Sequence, residues 1–236
     1  MFNPNPHIQA IPIAGRHACY VIDDALLDPG RWVDFAASNF NAFQFSPHNA
    51  YPGPELRMPD AISAQLDAYF ATHVRRLLGA RRTRRMYSRL SLATLAPEQL
   101  APRQWLCHVD RLEVEPGQCL AASVLYLFGD ASLGGTSFYV PMRPLPEIAR
   151  LIQDSSTAPP DAFATQYGLR PGYMTESNAW FEKVLTIPAR WNRLIFYDGS
   201  VFHCGEIATP EKLHADPRSG RLTLNGFFIC TRAFGA

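Results

Sequence analysis

The sequence of 236 residues is long enough to form one large domain with its own core. Its 18% of charged residues and net charge of +1 argue against an acidic tail or a surface-wide nucleic-acid footprint. No apolar run approaches the roughly 18 residues of a membrane helix, and the N-terminal stretch lacks the pattern of a secretion signal. The five cysteines show no CxxC spacing, which predicts free thiols and a cytoplasmic location.

The first part of the chain predicts helices between short strands. Residues 1–16 are rich in proline and predict an N-terminal arm, which would permit a homodimer, and a strand follows over 17–22. Asp28-Pro29 predicts a helix of about three turns with Asp28 as its N-cap. Residues 43–58 predict a loop because proline and glycine interrupt them. An apolar stripe then predicts a second helix from Pro59-Asp60 to Gly79.

One dense run of basic residues, Arg81-Arg82-Thr83-Arg84-Arg85, follows this second helix. We interpret the run as a solvated turn that leads into a strand over 86–95. The alternative is a contact to an anionic substrate or partner, in which case the run would belong to a protein-interaction module. The proline-rich residues 96–104 predict a turn.

From Trp105 onward the pattern is almost entirely β. The apolar stretch 120–128 predicts a strand at the centre of a sheet. Residues 141–178 predict a short helix over 146–153 and then a long loop. An insertion of that size inside a compact domain more often has a function than not. The other predicted strands cover residues 106–110, 111–114, 136–140, 180–187, 193–197 and 221–230, with His203 after a turn.

This order of elements predicts one α+β domain that is mainly β. Short strands with frequent turns indicate a sandwich or barrel, jelly rolls included, and helices ahead of a β run indicate packing on one sheet face. The domain would comprise the arm (1–16), helical support with the first strands (17–104) and a β core (105–236).

A candidate metal site is formed by Leu106-Cys107-His108-Val109-Asp110 together with His203. Residues two apart in an extended segment point to the same face, so His108 and Asp110 can converge on one ion. Two histidines and one carboxylate are the ligand set of non-haem Fe(II) oxygenases. The alternatives are a hydrogen-bonded core histidine at 203 and a turn aspartate at 110.

Six short motifs in order extend this pattern over about 125 residues. The C-terminal half resembles the double-stranded β-helix (jelly roll, cupin-like) of Fe(II)/2-oxoglutarate-dependent dioxygenases, in the branch that contains prolyl hydroxylases. The helices before it resemble the family's N-terminal support. The motifs are His108-Val-Asp110, Val124-Leu-Tyr-Leu127, Gly134-Gly-Thr136, Asn192-Arg-Leu-Ile-Phe196, His203 and Arg221.

The resemblance implies that His108, Asp110 and His203 bind Fe(II), with 2-oxoglutarate as co-substrate. It also implies that Arg221 pairs with the distal carboxylate of 2-oxoglutarate, to which a guanidinium offers a planar bidentate fork. Thr223 shares the face of Arg221 and Tyr126 matches a family tyrosine, so both would assist. The alternatives are an intramolecular salt bridge for Arg221 and a purely structural role for Tyr126. The gap from His203 to Arg221 is longer than usual in the family and predicts an inserted loop over 207–220.

Several residues near these motifs are assigned more weakly. Tyr87 and Arg89 either line the pocket or serve packing, and Arg193 is predicted to be structural. Cys107 and Cys204 should point away from the metal. Residues 43–58 and 141–178 are the candidate segments for substrate recognition and closure.

The resemblance therefore predicts an oxygenase that hydroxylates an unactivated C–H bond, with O2 consumed and succinate and CO2 released. Asp110 favours hydroxylation, because halogenases of this superfamily lack the carboxylate. The substrate would be a small molecule or a short peptide, and neither nucleic acid nor membrane is expected as a partner. The alternative is a metal-binding β-helix protein that is non-catalytic or differently catalytic.

Overall fold

The computed structural model describes residues 1–46, 50–110 and 114–233. Its helices are α1 (Gly30–Ser38), α2 (Asp60–His73), α3 (Leu145–Asp154) and α4 (Pro160–Tyr167). Its strands are β1 (Ile8–Ala14), β2 (His17–Ile22), β3 (Glu55–Arg57), β4 (Ala80–Ala93), β5 (Gln118–Tyr126), β6 (Thr136–Pro141), β7 (Phe181–Ile187), β8 (Leu194–Asp198), β9 (Phe202–Gly205) and β10 (Arg221–Arg232).

The described strands form two antiparallel sheets. The larger sheet has the order β1-β2-β8-β5-β10-β4-β3, and the smaller has the order β7-β6-β9. Side chains of both sheets meet in one apolar layer, which includes Phe138 and Ile187 from the smaller sheet and Ile195 from the larger. This arrangement is the jelly roll of a double-stranded β-helix, and it confirms the predicted mainly β, α+β fold.

The other face of the large sheet packs against α1 and α2. Phe70 of α2 lies between the outward residues of two strands, with its ring centroid 4.2 Å from that of Phe228 and 5.5 Å from that of Phe196. All three rings are fully buried, and burial of such a side chain stabilises the fold by roughly 1.5–3 kcal/mol. The helices therefore brace the sheet from the side opposite the smaller sheet, as predicted.

The N-terminal segment belongs to the large sheet. Residues 8–14, predicted as part of an arm, form β1 and pair with β2, which in turn pairs with β8. Asn192, in the left-handed region at φ 63°, fixes the chain that follows β2. Its Oδ1 accepts from Leu26 N and its Nδ2 donates to Leu26 O, both at 2.9 Å, and its carbonyl accepts from Ala25 N.

Both N-terminal helices differ in their ends from the prediction. The N-cap of α1 is Pro29 rather than Asp28, although Asp28 Oδ1 accepts a hydrogen bond from Arg31 N at 3.3 Å. Helix α2 ends at His73 instead of continuing to Gly79, because the chain closes in successive turns through residues 74–79 to enter β4.

Three predicted loops or turns contain regular structure. The basic run 81–85 is part of β4 and not a turn, because β4 pairs with β10 along its whole length and this pairing overrides the weak local signal. Residues 55–57 of the predicted loop form β3, while residues 47–49 of that loop lie outside the described part. The predicted loop after α3 contains α4.

The segment 106–110 is not a strand. Its only described β contact is a single bridge between His108 and His203. The strand predicted over 111–114 falls almost wholly on residues 111–113, which lie outside the described residues.

Candidate functional site

The structure brings His108, Asp110 and His203 together. Their ligand atoms all lie within 4.8 Å of one another. The backbones of His108 and His203 exchange two hydrogen bonds, at 2.9 Å and 2.8 Å, and Asp110 N donates to Gly199 O at 2.9 Å. These bonds hold a non-regular segment against β9, so the three side chains converge although two of them lie outside any strand.

The hydrogen bond of His203 orients its imidazole for metal binding. His203 is buried, and its Nδ1 lies 2.9 Å from the carbonyl of Val201. Nδ1 is therefore the protonated nitrogen of the neutral ring, which leaves the lone pair of Nε2 for a metal. Nε2 points into the cluster and lies 3.8 Å from Asp110 Oδ1.

Asp110 shows why this cluster suits a cation. Its Oδ2 is buried and has no hydrogen-bond partner within the described ranges. Burial raises the pKa of Asp110, while His203 and Arg89 oppose the rise. A buried carboxylate without partners is costly unless it meets a cation. Two imidazole nitrogens and this carboxylate therefore fit a divalent transition metal.

Arg221 lies at the other end of the site. It is only 4% exposed, and its guanidinium donates from Nε to Leu133 O at 2.9 Å and from Nη2 to Gly135 O at 2.8 Å. It forms no ion pair with any carboxylate of residues 1–46, 50–110 or 114–233, so the salt-bridge alternative is wrong there. The two carbonyls fix the plane of the guanidinium without neutralising its charge, which suits an anionic ligand.

The two residues predicted to assist Arg221 have different places. Thr223 is buried, lines the same cavity as Arg221 and donates to Ser91 O at 3.4 Å. Tyr126 is fully buried in the layer between the sheets, and its hydroxyl lies 2.8 Å from that of Thr136. Thr136, and not Tyr126, borders the cavity. A role for Tyr126 would therefore act through Thr136.

Sequence reasoning missed two tyrosines at this end. Tyr51 comes from the loop before β3, and Tyr173 from the segment after α4. Burial raises the pKa of Tyr51, and the nearby Arg221 and Thr223 partly oppose this rise. Tyr173 donates its hydroxyl to Leu95 O at 2.7 Å. Neither residue stands in a periodic segment, so only an aromatic side chain next to Pro52 marks Tyr51 in the sequence.

A cavity of about 370 Å³ connects the cluster and Arg221, which is within the usual size of a small-ligand pocket. Tyr87 and Arg89 of β4 line it, as one of the two sequence interpretations expected. Arg89 Nη1 donates to the buried Glu55 Oε2 at 3.1 Å, and Ser91 Oγ donates to Glu55 Oε1 at 2.9 Å. Arg89, which lines the cavity, is therefore held in place through Glu55.

Cys107 and Cys204 are directed into the apolar cluster around α3 and α4. Cys107 is fully buried, and burial raises the pKa of its thiol. Cys204 Sγ lies 3.4 Å from Met174 O. Neither cysteine belongs to the candidate metal cluster, although both border the cavity.

The arginine assigned a structural role, Arg193, donates to the carboxylate of Asp23 through Nε at 2.6 Å and Nη2 at 3.0 Å. This fork joins the end of β2 to the start of β8.

Among the described helices, none has the length and apolar character needed to cross a membrane.

The chain is similar to several solved structures. The chain is similar to the non-haem α-ketoglutarate-dependent carbocyclase SnoK from nogalamycin biosynthesis, with a TM-score of 0.51 and 14% identity over 93% of this chain and 84% of SnoK. It is also similar to the epimerase SnoN of the same biosynthesis (TM-score 0.49, 13% identity, 94% and 83% covered). A prolyl-4-hydroxylase from Pseudomonas putida has a TM-score of 0.44 and 15% identity, with 93% and 94% covered.

At these identities the likeness to SnoK concerns the fold, and it agrees with the resemblance seen in the sequence motifs. No curated protein matches the sequence. Residues 4–228 match the family described as a family of unknown function, DUF6445. Since this match covers almost the whole chain, the chain belongs to the DUF6445 family.

Proposed function

We propose that the protein is an Fe(II)- and 2-oxoglutarate-dependent oxygenase. The observation that carries the proposal is the pairing of two features in one cavity. One is the His108, Asp110 and His203 cluster, whose buried carboxylate oxygen has no partner within the described residues. The other is the buried Arg221, whose guanidinium donates to two backbone carbonyls and forms no ion pair with a carboxylate of the described residues. A divalent metal and a dicarboxylate would together satisfy both.

His108, Asp110 and His203 would hold the metal on one face and leave its other positions open to the cavity. When bound, Fe(II) and 2-oxoglutarate supply the oxidation, in which O2 is consumed, succinate and CO2 are released and a substrate C–H bond is hydroxylated. The Val201 carbonyl accepts from Nδ1 of His203 and so leaves the lone pair of Nε2 for the metal. Asp110 occupies the carboxylate position, which favours hydroxylation.

Arg221 would bind the distal carboxylate of 2-oxoglutarate, with Thr223 beside it. Its guanidinium is held in one plane by Leu133 O and Gly135 O, so little entropy is lost when it binds a carboxylate. Tyr51 is a further donor for the same carboxylate, because its hydroxyl lies beside Arg221 and Thr223. Tyr126 would support this end through its bond to Thr136.

The substrate would enter at the end lined by Tyr87 and Arg89. The volume of the cavity suits a small molecule or a short peptide rather than a folded macromolecule. Helices α3 and α4 with their flanking segments cover one side, with Ile152, Ser155 and Met174 reaching the cavity. All five cysteines are free, which supports action in a reducing cytoplasm.

The test is an anaerobic titration of the purified protein with Fe(II) and 2-oxoglutarate, following the visible charge-transfer absorption of the chelate. Wild type should develop the band. Arg221→Ala should need far more 2-oxoglutarate, because a charge-assisted bidentate contact is worth about 1.5–3 kcal/mol, or about 10-fold to 150-fold. Fe(II) affinity, measured alone by competition with a chelator, should stay unchanged.

Arg190→Ala is the matched control, because Arg190 pairs with Asp23 on the surface and lies away from the cavity. It should titrate like wild type. Absence of the band in wild type that holds iron would contradict the oxygenase proposal. Metal binding without it would favour a metal-binding β-helix protein of another kind.

A further inference from the structure

A row of exposed arginines occupies one half of β4, and we call it the arginine edge. It comprises Arg81, Arg82, Arg84 and Arg85, all exposed to solvent. Arg76 and Arg232 are exposed nearby, and Arg82 and Arg232 border the same surface depression. The whole chain carries a net charge of only +1, so this positive charge is local. The chemistry proposed above makes no use of it.

The arginine edge is also an open strand edge. One side of β4 pairs with β10 along its length. On the other side, β3 pairs only with Arg89–Ser91, and Met58 N donates to Ser88 O. In the parts of the chain that the structure describes, no strand pairs with residues 80–87 on that side. Charged side chains on an open edge discourage pairing with copies of the chain, yet the backbone groups remain available to an oppositely charged segment.

The arginine edge leads directly to the cavity. Residues 85, 87 and 89 share one face of the strand because strand side chains alternate, and Tyr87 and Arg89 line the cavity. The ring of Tyr87 stacks on Phe227 at 5.0 Å between centroids. Burial raises the pKa of Tyr87, and Arg89, Asp110 and Arg85 all lie close enough to contribute. Tyr87 therefore lies between the arginine edge and the candidate metal ligand.

We propose that the open edge of β4 binds an extended acidic peptide segment of the substrate and leads it along Tyr87 and Arg89 to the metal cluster. A polypeptide fits best because only a peptide backbone can pair with the amide and carbonyl groups of a strand edge, at about 3.3 Å per residue. The basic surface follows a single strand, whereas binding of nucleic acids or anionic membranes requires positive charge over a broader surface. The role as substrate rests on the proposed function; the binding itself does not.

The experiment measures binding of a fluorescein-labelled peptide of about eight alternating glutamate and threonine residues to the full chain without metal, by fluorescence anisotropy at low salt. Wild type should bind it, and added salt should weaken the binding. Arg81→Thr, Arg82→Thr, Arg84→Thr and Arg85→Thr combined should weaken it about fourfold or more, because four ion pairs of about 0.2–1 kcal/mol each are lost. Threonine keeps the strand propensity of β4.

The control variant replaces Arg16, Arg31, Arg150 and Arg170, which are exposed elsewhere, by threonine. Its net charge equals that of the first variant, so its binding should stay within about twofold of wild type. The double variant Arg82→Thr/Arg84→Thr gives an intermediate loss if the fourfold variant fails to fold. A peptide N-methylated at every residue keeps its charge but has no N–H to donate to a strand edge, and should bind at least about tenfold more weakly.

Equal binding by the two fourfold variants, or by the methylated and unmethylated peptides, would overturn the inference. Tighter binding of single-stranded DNA or of vesicles with anionic lipid than of the peptide would also overturn it. None of these results depends on iron or 2-oxoglutarate. Absence of the charge-transfer band would instead contradict the proposed function, and it would have no bearing on whether the strand edge binds a peptide.

Discussion

Asp110→Asn is expected to stabilise the metal-free protein while abolishing its response to metal. In the folded chain Oδ2 of Asp110 is buried without a partner in the described part of the chain, and burial raises the pKa of this carboxyl. The charge of Arg89 offsets part of the cost. Replacing the charge by a neutral amide of equal size should therefore gain about 1–2 kcal/mol.

For a chain of this length, 1 kcal/mol corresponds to about 2–4 °C in Tm, so the variant should melt about 2–8 °C higher. The assay is calorimetric unfolding of metal-free protein at pH 7, repeated with added Ni(II) as a redox-stable metal. Metal at about 100 times its Kd should stabilise wild type by about 2.7 kcal/mol, whereas Asp110→Asn should show almost no shift. Asp161→Asn, at an exposed position in α4, should behave like wild type. A metal-free Asp110→Asn that is less stable than wild type would refute the reasoning, because the carboxylate would then have to contribute to folding.

Three further changes test other parts of the structure. Tyr51→Phe should raise the concentration of 2-oxoglutarate at half-saturation about fivefold in the same anaerobic titration, because one hydrogen bond is lost. Unchanged binding would show that Tyr51 does not belong to the anion site. Gly199→Ala places a Cβ 2.8 Å from Asp110 Oδ2. The affinity for metal, measured by competition with a chelator, should therefore fall about 10-fold or more. An unaltered affinity would mean that the Asp110 side chain has room to move. Asp23→Asn should lower Tm at pH 7, because hydrogen bonds from Arg193 hold the pKa of Asp23 below 3.8. That stability is present above the unfolded pKa and is lost as pH falls through the folded one, so a Tm difference that does not shrink as the pH falls below 3.8 would contradict it.

The metal cluster could be predicted because its chemistry is local in sequence and distinctive in residue type. His108 and Asp110 are two apart, and His203 interrupts an apolar segment. The prediction of a regular strand at 106–110 was nevertheless wrong, since one bridge to His203 is enough to align the two side chains. Arg221 was singled out because it opens an apolar strand, and the structure places it in the same cavity as the cluster; its binding of an anion stays a prediction.

Other features depend on contacts between residues that are far apart in the sequence, which a single sequence does not reveal. The alternation of β5 places Tyr126 on the inner face, but only the tertiary packing decides that its hydroxyl meets Thr136. Tyr51 is in a loop, where periodicity gives no direction. The arginines of β4 have side chains typical of a solvated turn, and their strand exists because β10 pairs with it. Helix α4 is short and surrounded by serine, threonine and proline, which hide its signal.

The pairing of β1 and β2 with β8 has a consequence for how the chain can be divided. A fragment that begins after residue 22 would leave β8 as a bare sheet edge, with four of its five residues buried and mostly apolar in the intact fold. It would also cut the chain directly before Asp23, whose carboxylate pairs with Arg193. Such an edge invites pairing between molecules, so the fragment should aggregate, even though it retains every residue of the cavity. The family match from residue 4 includes both strands, so this N-terminal segment belongs to the part of the chain that the family shares.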